Sequence, residues 1–375
     1  MTRIAMMSTH RVTCGVALYQ EELSNELSKI SEIKVFAENI IPPQVENAPL
    51  NPSIKLNYER CWTRGQGYNE VEKKNLEYKP DILHVQFVAG VFGSLDYKVD
   101  SPFQKFIETL RNNGIKICIT LHDIPHHGHG STELTEWYKA LHAKFFVMNI
   151  DMSAILREWY VDADINLIPL GTPIFTPSDK KEARTKLGLS QDDFILSQIG
   201  FLGIDKDMLS IVKAIPSVKI PNFKLIFAGG FHPLASPVHR PHVLECMKTA
   251  VKLGVQKQIV FANKVLTEEE INLYASASDF LILNQEMVFG GSTSASAHRI
   301  LCAGKPIIMS QSGKLSEFIH TVNCVKCYPD KIAETLNSLY SDKALQEKIA
   351  MGALQHAQET SFAIVAQKTL EVYNQ

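Results

Sequence analysis

The sequence predicts an α/β protein made of two doubly wound, Rossmann-like domains that face a shared cleft, and three observations carry that prediction. Short β-branched or apolar runs alternate with longer stretches of helical periodicity, the sequence form of parallel sheets covered by helices. The 375 residues exceed what one core of ordinary size organises, at about 150 residues per domain. The stretch Ile168-Pro169-Leu170-Gly171-Thr172-Pro173 then interrupts any regular element with two prolines and a glycine, and a second alternation begins after it.

In the first half, strands are expected over 3–7, 33–37, 82–86, 116–121, 144–147 and 165–167, with helices over 16–30, 101–113 and 133–141. The second half predicts strands over 194–200, 224–228, 258–261, 280–283 and 306–309. Helices are expected there over 206–215, 242–253, 268–276, 294–302 and 330–340. The domain expectation is 1–172 for the first domain, 173–357 for the second, and 358–375 for a C-terminal helix that returns to the first. Such sheets bind ligands outside the carboxyl ends of their strands, so the site belongs to the loops that follow them.

Composition narrows the function. Lys and Arg number 38 against 40 Asp and Glu, a formal charge of -2, and no basic field exists to hold a nucleic-acid backbone. Seven scattered cysteines and the lack of an apolar leader predict a reducing cytoplasm. Apolar runs such as Phe280-Leu281-Ile282-Leu283 fall far short of the ~20 residues of a membrane span, so any membrane contact is expected to be peripheral, at the inner face.

Several strand ends carry chemistry. The loop of residues 8–15 precedes a helix, and Gly15 lets backbone N–H groups approach a ligand there; a plain turn accounts for it equally well. His84 and Gln86 share one face of a strand by period two, while His122 and Asp123 close the next. A lone histidine is as readily a satisfied core residue as a site residue. Lys206 follows the strand-to-helix loop Gly200-Phe201-Leu202-Gly203 and can neutralise a phosphate. Glu286 and Gly291-Ser292-Thr293-Ser294 join a strand to a helix opening with small residues, where free N–H groups and hydroxyls form an anion cradle or ordinary caps.

Three patterns invite a metal or redox reading and are set aside. His126, His127 and His129 sit on a glycine loop without ligand spacing. Cys324-Val325-Lys326-Cys327 lacks a second pair and reads as a strand end with two thiols. Asp162-Ala163-Asp164 reads as a surface turn before a strand. No metal ligand and no cofactor is expected.

Taken in order, Gly15 and its helix, Pro80-Asp81-Ile82-Leu83-His84-Val85, Thr120-Leu121-His122-Asp123, Ile168-Pro169-Leu170-Gly171, Gly200 with Lys206, Phe227-Ala228-Gly229-Gly230, Ala303-Gly304-Lys305-Pro306 and Gly313 with Glu317 resemble the family-4 glycosyltransferases (group 1) of the GT-B fold. The resemblance covers almost the whole chain, including a last helix near 360–366. It implies metal-independent transfer of a sugar, with retention at the anomeric carbon, from a nucleotide diphosphate donor to a glycan, lipid-linked or small-molecule acceptor.

By the same resemblance His122, Lys206 and Glu286 are catalytic. Gly15, which would line the acceptor side, is grouped with Gly229, Gly291, Ser292, Thr293, Ser294 and Arg299 in the donor-binding set. His84, Gln86 and Asp123 stand on the acceptor side. The chain departs from the family in two places. Phe201 stands where many members carry a phosphate-binding arginine, and Gly291 and Arg299 fall where two glutamates are common, with Glu286 five residues upstream of the first. A nucleotide-sugar epimerase and a non-catalytic nucleotide-sugar-binding or partner-supporting protein are the alternatives.

Overall fold

A computed structural model of the chain describes residues 1–92, 100–124, 132–235, 237–286 and 291–375. They form two compact units. Unit 1 comprises Met1–Gly171 with residues 291–293 and Phe362–Gln375, and unit 2 comprises residues 172–286 with Ser294–Ser361. The sequence boundaries at 172/173 and 357/358 stand beside unit divisions at 171/172 and 361/362.

Unit 1 runs β1 (Arg3–Ser8), α1 (Gly15–Leu27), β2 (Glu32–Glu38), β3 (Asn57–Trp62), α2 (Asn69–Tyr78), β4 (Ile82–Phe87), α3 (Pro102–Asn112), β5 (Lys116–Leu121), α4 (Thr132–Leu141), β6 (Lys144–Val147), α5 (Ile150–Trp159) and β7 (Ile165–Leu167). Its seven strands are ordered β3-β2-β1-β4-β5-β6-β7, each neighbouring pair parallel. Every residue of β4 is buried, as expected for a central strand covered on both faces. The order reverses between β1 and β4, which makes the carboxyl ends of those two strands the ligand position of this sheet.

Unit 2 runs α6 (Lys180–Leu187), β8 (Phe194–Ile199), α7 (Met208–Ala214), β9 (Phe223–Ala228), α8 (His239–Lys252), β10 (Ile259–Phe261), α9 (Glu268–Ala277), β11 (Phe280–Leu283), α10 (Ala295–His298), β12 (Ile307–Ser310), β13 (Val325–Cys327), α11 (Ile332–Ser341) and α12 (Lys343–Glu359). Its parallel sheet has the order β10-β9-β8-β11-β12-β13, with the switch between β8 and β11. The last helix, α13 (Phe362–Tyr373), is part of unit 1. There Phe362 meets Tyr19 of α1 with ring centres 5.5 Å apart, and a side chain at Gly171 would overlap the Phe362 ring.

Local signals explain the helix starts. Ser101 accepts from the Gln104 N–H at 3.2 Å ahead of Pro102, Asn149 caps α5 through the Met152 N–H at 2.8 Å, and Thr267 and Glu270 form a reciprocal capping box on α9. The hydrophobic pattern does not announce β3, α2, α5, α6 and α12. In β3 the reason is its edge position, where Glu59 pairs with Lys34 at 3.1 Å and with Lys74, so charge replaces the apolar run.

One expectation is corrected. The helix expected over 294–302 is a single α turn, α10, followed by a 3-10 turn at Leu301–Ala303 that closes on Gly304 at φ 60°. Serines 294 and 296 offer the backbone competing partners, so the stretch of residues 291–294 leads into one helical turn rather than a long helix.

The cysteines are free; Cys324 and Cys327 flank and end β13, and burial pushes their thiols up to about 12 and about 11. Asp162 and Asp164 are exposed, with Val161 and Asp162 in a turn and Asp164 held by Lys144 at 3.1 Å. His126, His127 and His129 lie outside the described residues. Among the described residues no helix is long and apolar enough to cross a membrane.

Candidate active site

In unit 2 the loops after β8, β9 and β11 meet at the switch point. The chain leaves β8 through Gly200 at φ 129°, a conformation that strains any side chain, and a Cβ added there would come within 2.7 Å of Ser296 Oγ. A Cβ on Gly229, after β9, would overlap the Gly200 carbonyl oxygen, and one on Gly230 would press into the backbone of Lys264 and Val265. These glycines bring three backbone segments within van der Waals contact. Beside them lies a cavity of about 360 Å3 whose lining includes Phe201, Gly203, Lys206, His232, His239 and Ser296, within the size range of small-molecule sites.

Lys206 ends a 3-10 turn, Ile204–Lys206, rather than opening an α-helix. The turn is pinned by Lys206 N–H to the Gly203 carbonyl at 3.1 Å and by the Gln198 amide donating to the Lys206 carbonyl at 3.3 Å. Asp207 then takes a left-handed conformation at φ 35° and accepts from Ser210 Oγ at 2.8 Å. Burial lowers the Lys206 ammonium from its ordinary range and Lys314 adds to that, against the opposing pull of Asp205, whose carboxylate stands 3.4 Å away. A partly desolvated ammonium at a cavity wall gains most from a dianionic ligand.

The Glu286 N–H donates to the Asp205 carbonyl at 2.9 Å, so this exposed residue is tied by its backbone to the turn that carries Lys206. Gln285 donates to Ser294 Oγ at 2.6 Å. Phe201 meets His232 edge to face, 5.1 Å between ring centres. Arg299, expected in the donor-binding set, has its guanidinium paired with Glu268 at the start of α9 and is not among the residues lining this cavity.

In unit 1 the strand ends assemble differently. His122 Nε2 meets Gln86 Oε1 at 3.0 Å, and its ring stands edge-on to Tyr19 at 5.0 Å. Burial lowers its pKa to about 3, so the imidazole is neutral at pH 7. Asp123 accepts from the Ala89 N–H at 3.0 Å, and burial raises its carboxyl. Asp123 also bridges to Ser292, whose carbonyl accepts from the Asn149 amide at 3.3 Å. Gly291 accepts from the Ile124 N–H at 2.7 Å, and Thr293 Oγ1 lies 3.2 Å from Met148 Sδ.

His84 is corrected from an acceptor-side residue to a core residue. Both its nitrogens are occupied, Nδ1 by the Tyr373 hydroxyl and Nε2 by Thr120 Oγ1 at 2.7 Å, and burial holds its pKa at about 3. Gly15 is the first residue of α1. At the end of β1 stand three side chains absent from the sequence-based set: Ser8, Thr9 and His10 are each 2 % exposed or less. Among the described residues Ser8 Oγ, Thr9 Oγ1 and His10 Nε2 have no hydrogen-bond partner, while His10 Nδ1 meets Gln20 Oε1 at 2.7 Å. The signal that could have found them was present, three consecutive polar residues at the carboxyl end of an apolar strand.

Residues 179–356 match the family described as glycosyl transferases group 1. Among curated proteins, D-inositol 3-phosphate glycosyltransferase of Stackebrandtia nassauensis is 23% identical over 210 residues, 53% of this chain and 46% of that protein. The chain spans about half the length of the curated relatives it matches. Among solved structures, HepE of Anabaena in complex with UDP superposes with a TM-score of 0.76 at 16% identity, covering 100% of both chains. Sucrose-phosphate synthase of Thermosynechococcus elongatus gives a TM-score of 0.75 at 16% identity, covering 100% of this chain and 98% of that one. HepE has also been solved with UDP-glucose. The fold is therefore that of the GT-B glycosyltransferases, and residues 179–356 are similar to the glycosyl transferases group 1 family.

Proposed function

We propose that the protein is a glycosyltransferase that moves a sugar from a nucleotide diphosphate sugar to a hydroxylated acceptor, with retention and without a metal ion taking part in the transfer. The observation that carries this reading is Lys206, set by a glycine-framed turn at the wall of the unit 2 cavity inside the segment that matches the family. In transfer, negative charge grows on the departing diphosphate as the glycosidic bond breaks, and a preorganised ammonium stabilises it. Neutral His122 serves at the reacting sugar as a hydrogen-bond partner without adding charge, and Glu286 holds a sugar hydroxyl. The acceptor side uses Gln86, Asp123 and the unpaired groups of Ser8, Thr9 and His10. A glycan, a lipid-linked sugar and a small polyol all fit that chemistry.

A uridine diphosphate sugar is the first donor to test, since HepE, which shares the fold, binds UDP and UDP-glucose. A ligand that binds only the folded state raises the unfolding midpoint, so uridine, guanosine and adenosine diphosphate sugars are screened by thermal unfolding and the stabilising donor is then offered an acceptor panel. A midpoint unmoved by every donor sinks the reading. Phe201 at the cavity and the engaged Arg299 favour a second reading, a binding protein without turnover. Donor binding with no transfer to any acceptor selects it, and acceptor-independent conversion of the donor would identify an epimerase.

A further inference from the structure

Away from the cavity, unit 2 gathers three side chains that the proposed transfer does not use. His298 ends α10, Glu317 follows β12, and His356 lies in α12. One ligand atom from each falls within 4.8 Å of the others. His298 Nε2 is 3.2 Å from Glu317 Oε1, and His356 Nε2 is 3.6 Å from Glu317 Oε2. The His298 side chain is 1% exposed, that of Glu317 11% and that of His356 16%.

The hydrogen bonds behind His298 determine its tautomer. Thr360 Oγ1 donates its single proton to the His356 carbonyl at 2.7 Å, so in the 2.7 Å contact between Thr172 and Thr360 the donor is Thr172. With that proton committed, Thr172 Oγ1 can only accept from His298 Nδ1–H, also at 2.7 Å. Nε2 of the neutral ring is then a lone pair facing a carboxylate oxygen. Two acceptors at that distance require a cation. A proton on Nε2 is the simplest one and would pair the imidazoles with Glu317, but among the described residues His298 Nε2, His356 Nε2 and Glu317 Oε1 lack a well-aligned hydrogen bond, which leaves the three groups open to a metal cation.

We propose that His298 Nε2, His356 Nε2 and the Glu317 carboxylate form a binding site for a divalent transition metal, with Zn2+ the ion of matching donor preference. Bonds of 2.0–2.2 Å in a tetrahedral set separate neighbouring ligand atoms by about 3.4 Å; His298 Nε2 stands 3.2 Å from Glu317 Oε1 and His356 Nε2 3.6 Å from Glu317 Oε2, and the three ligand atoms lie within 4.8 Å of one another. Histidine ligands bind through one nitrogen while the other donates to a fixed acceptor, which is the role of Thr172. Metal there would tie α10 to α12 and to the segment after β12, which explains a buried carboxylate between two imidazoles where packing alone would place apolar groups.

The test uses the full chain without an affinity tag, stripped of metal by chelator, at neutral pH. Equilibrium dialysis against Zn2+ and visible absorption with Co2+ are expected to show a bound equivalent with the d–d bands of tetrahedral cobalt, and Zn2+ is expected to raise the unfolding midpoint. His356→Gln, which alters a partly exposed position, should lose that equivalent and its midpoint shift. Thr172→Val, which removes only the acceptor behind His298, should weaken binding about 10–100-fold. A combined His126→Ala, His127→Ala and His129→Ala variant should keep it. Absence of Zn2+ uptake, equal uptake and affinity in His356→Gln, or loss of the equivalent in the loop variant would each overturn the proposal.

Discussion

The loop after β1 in unit 1 and the loop after β8 in unit 2 occupy the same topological position, each leaving its sheet beside the strand-order switch, yet they are built on opposite principles. The first is filled by side chains: Ser8, Thr9 and His10 are buried with unpaired polar atoms. The second is closed by backbone: Gly200 packs against Gly229 of the loop after β9, where an added methyl would overlap the Gly200 carbonyl oxygen. Backbone amides beside glycine and one lysine suit a diphosphate, which is the same in every nucleotide-sugar. Side-chain hydroxyls and imidazoles suit a ligand whose hydroxyl pattern must be discriminated, because an unpaired buried group penalises the wrong partner.

The sharpest way to break this contrast is Gly229→Ala. The new methyl overlaps the Gly200 carbonyl oxygen, and backbone on both sides cannot yield cheaply, so a loss of about 3 kcal/mol or more is expected. Denaturant unfolding measures it, and a loss below about 1 kcal/mol would show that the loops of unit 2 are not closed by backbone contact.

Lys206→Ala tests the chemistry of the same loop. Transfer kcat/KM should fall roughly 10–1,000-fold with little change in the unfolding midpoint, the scale of one preorganised charge-stabilising donor. Unchanged kcat/KM removes Lys206 from the site.

Acidification should separate the two loops by stability. Burial depresses His10 to about 4 and His84 and His122 to about 3, below the unfolded value near 6.5. Between pH 6.5 and those values the unfolded chain binds more protons, so the stability present above pH 6.5 is lost as pH falls, at up to about 1.4 kcal/mol per pH unit for each histidine. All three stand in unit 1. His84→Gln should flatten the dependence of the unfolding midpoint between pH 6.5 and 4; an unaltered slope would refute the assignment.

The smallest effect is expected from Thr9→Val. It deletes a buried hydroxyl that has no partner while keeping its shape, so stability should change by no more than about 1 kcal/mol. Acceptor KM should rise while donor binding stays constant. An unchanged KM would mean that the polar floor of the β1 loop does not touch the acceptor.

How much of this was legible beforehand depends on whether the signal is local. Central strands such as β1, β4 and β8 are apolar because helices cover both faces, so their run of Met, Ile, Leu and Val announces them. Edge strand β3 carries Glu59 and Arg60 and gives no such run. Lys206 was readable from its place after a glycine turn. The separation of His84 from His122 was not: one lies in β4 and the other just after β5, and only the arrival of Tyr373 from the far end of the chain, 289 residues away, occupies the first.

By itself, then, the sequence determined the α/β class, the order of the central elements and the glycine positions at the β8 and β9 exits, because periodicity and backbone freedom are properties of a short stretch of chain. It could not show that Arg299 is occupied by Glu268, that the helix after Gly291 stops after one turn, or that His298, Glu317 and His356 converge. Those facts belong to the tertiary structure, since a side chain's charge state, partners and remaining capacity to bind are decided by residues distant in sequence that folding brings into a low-dielectric interior.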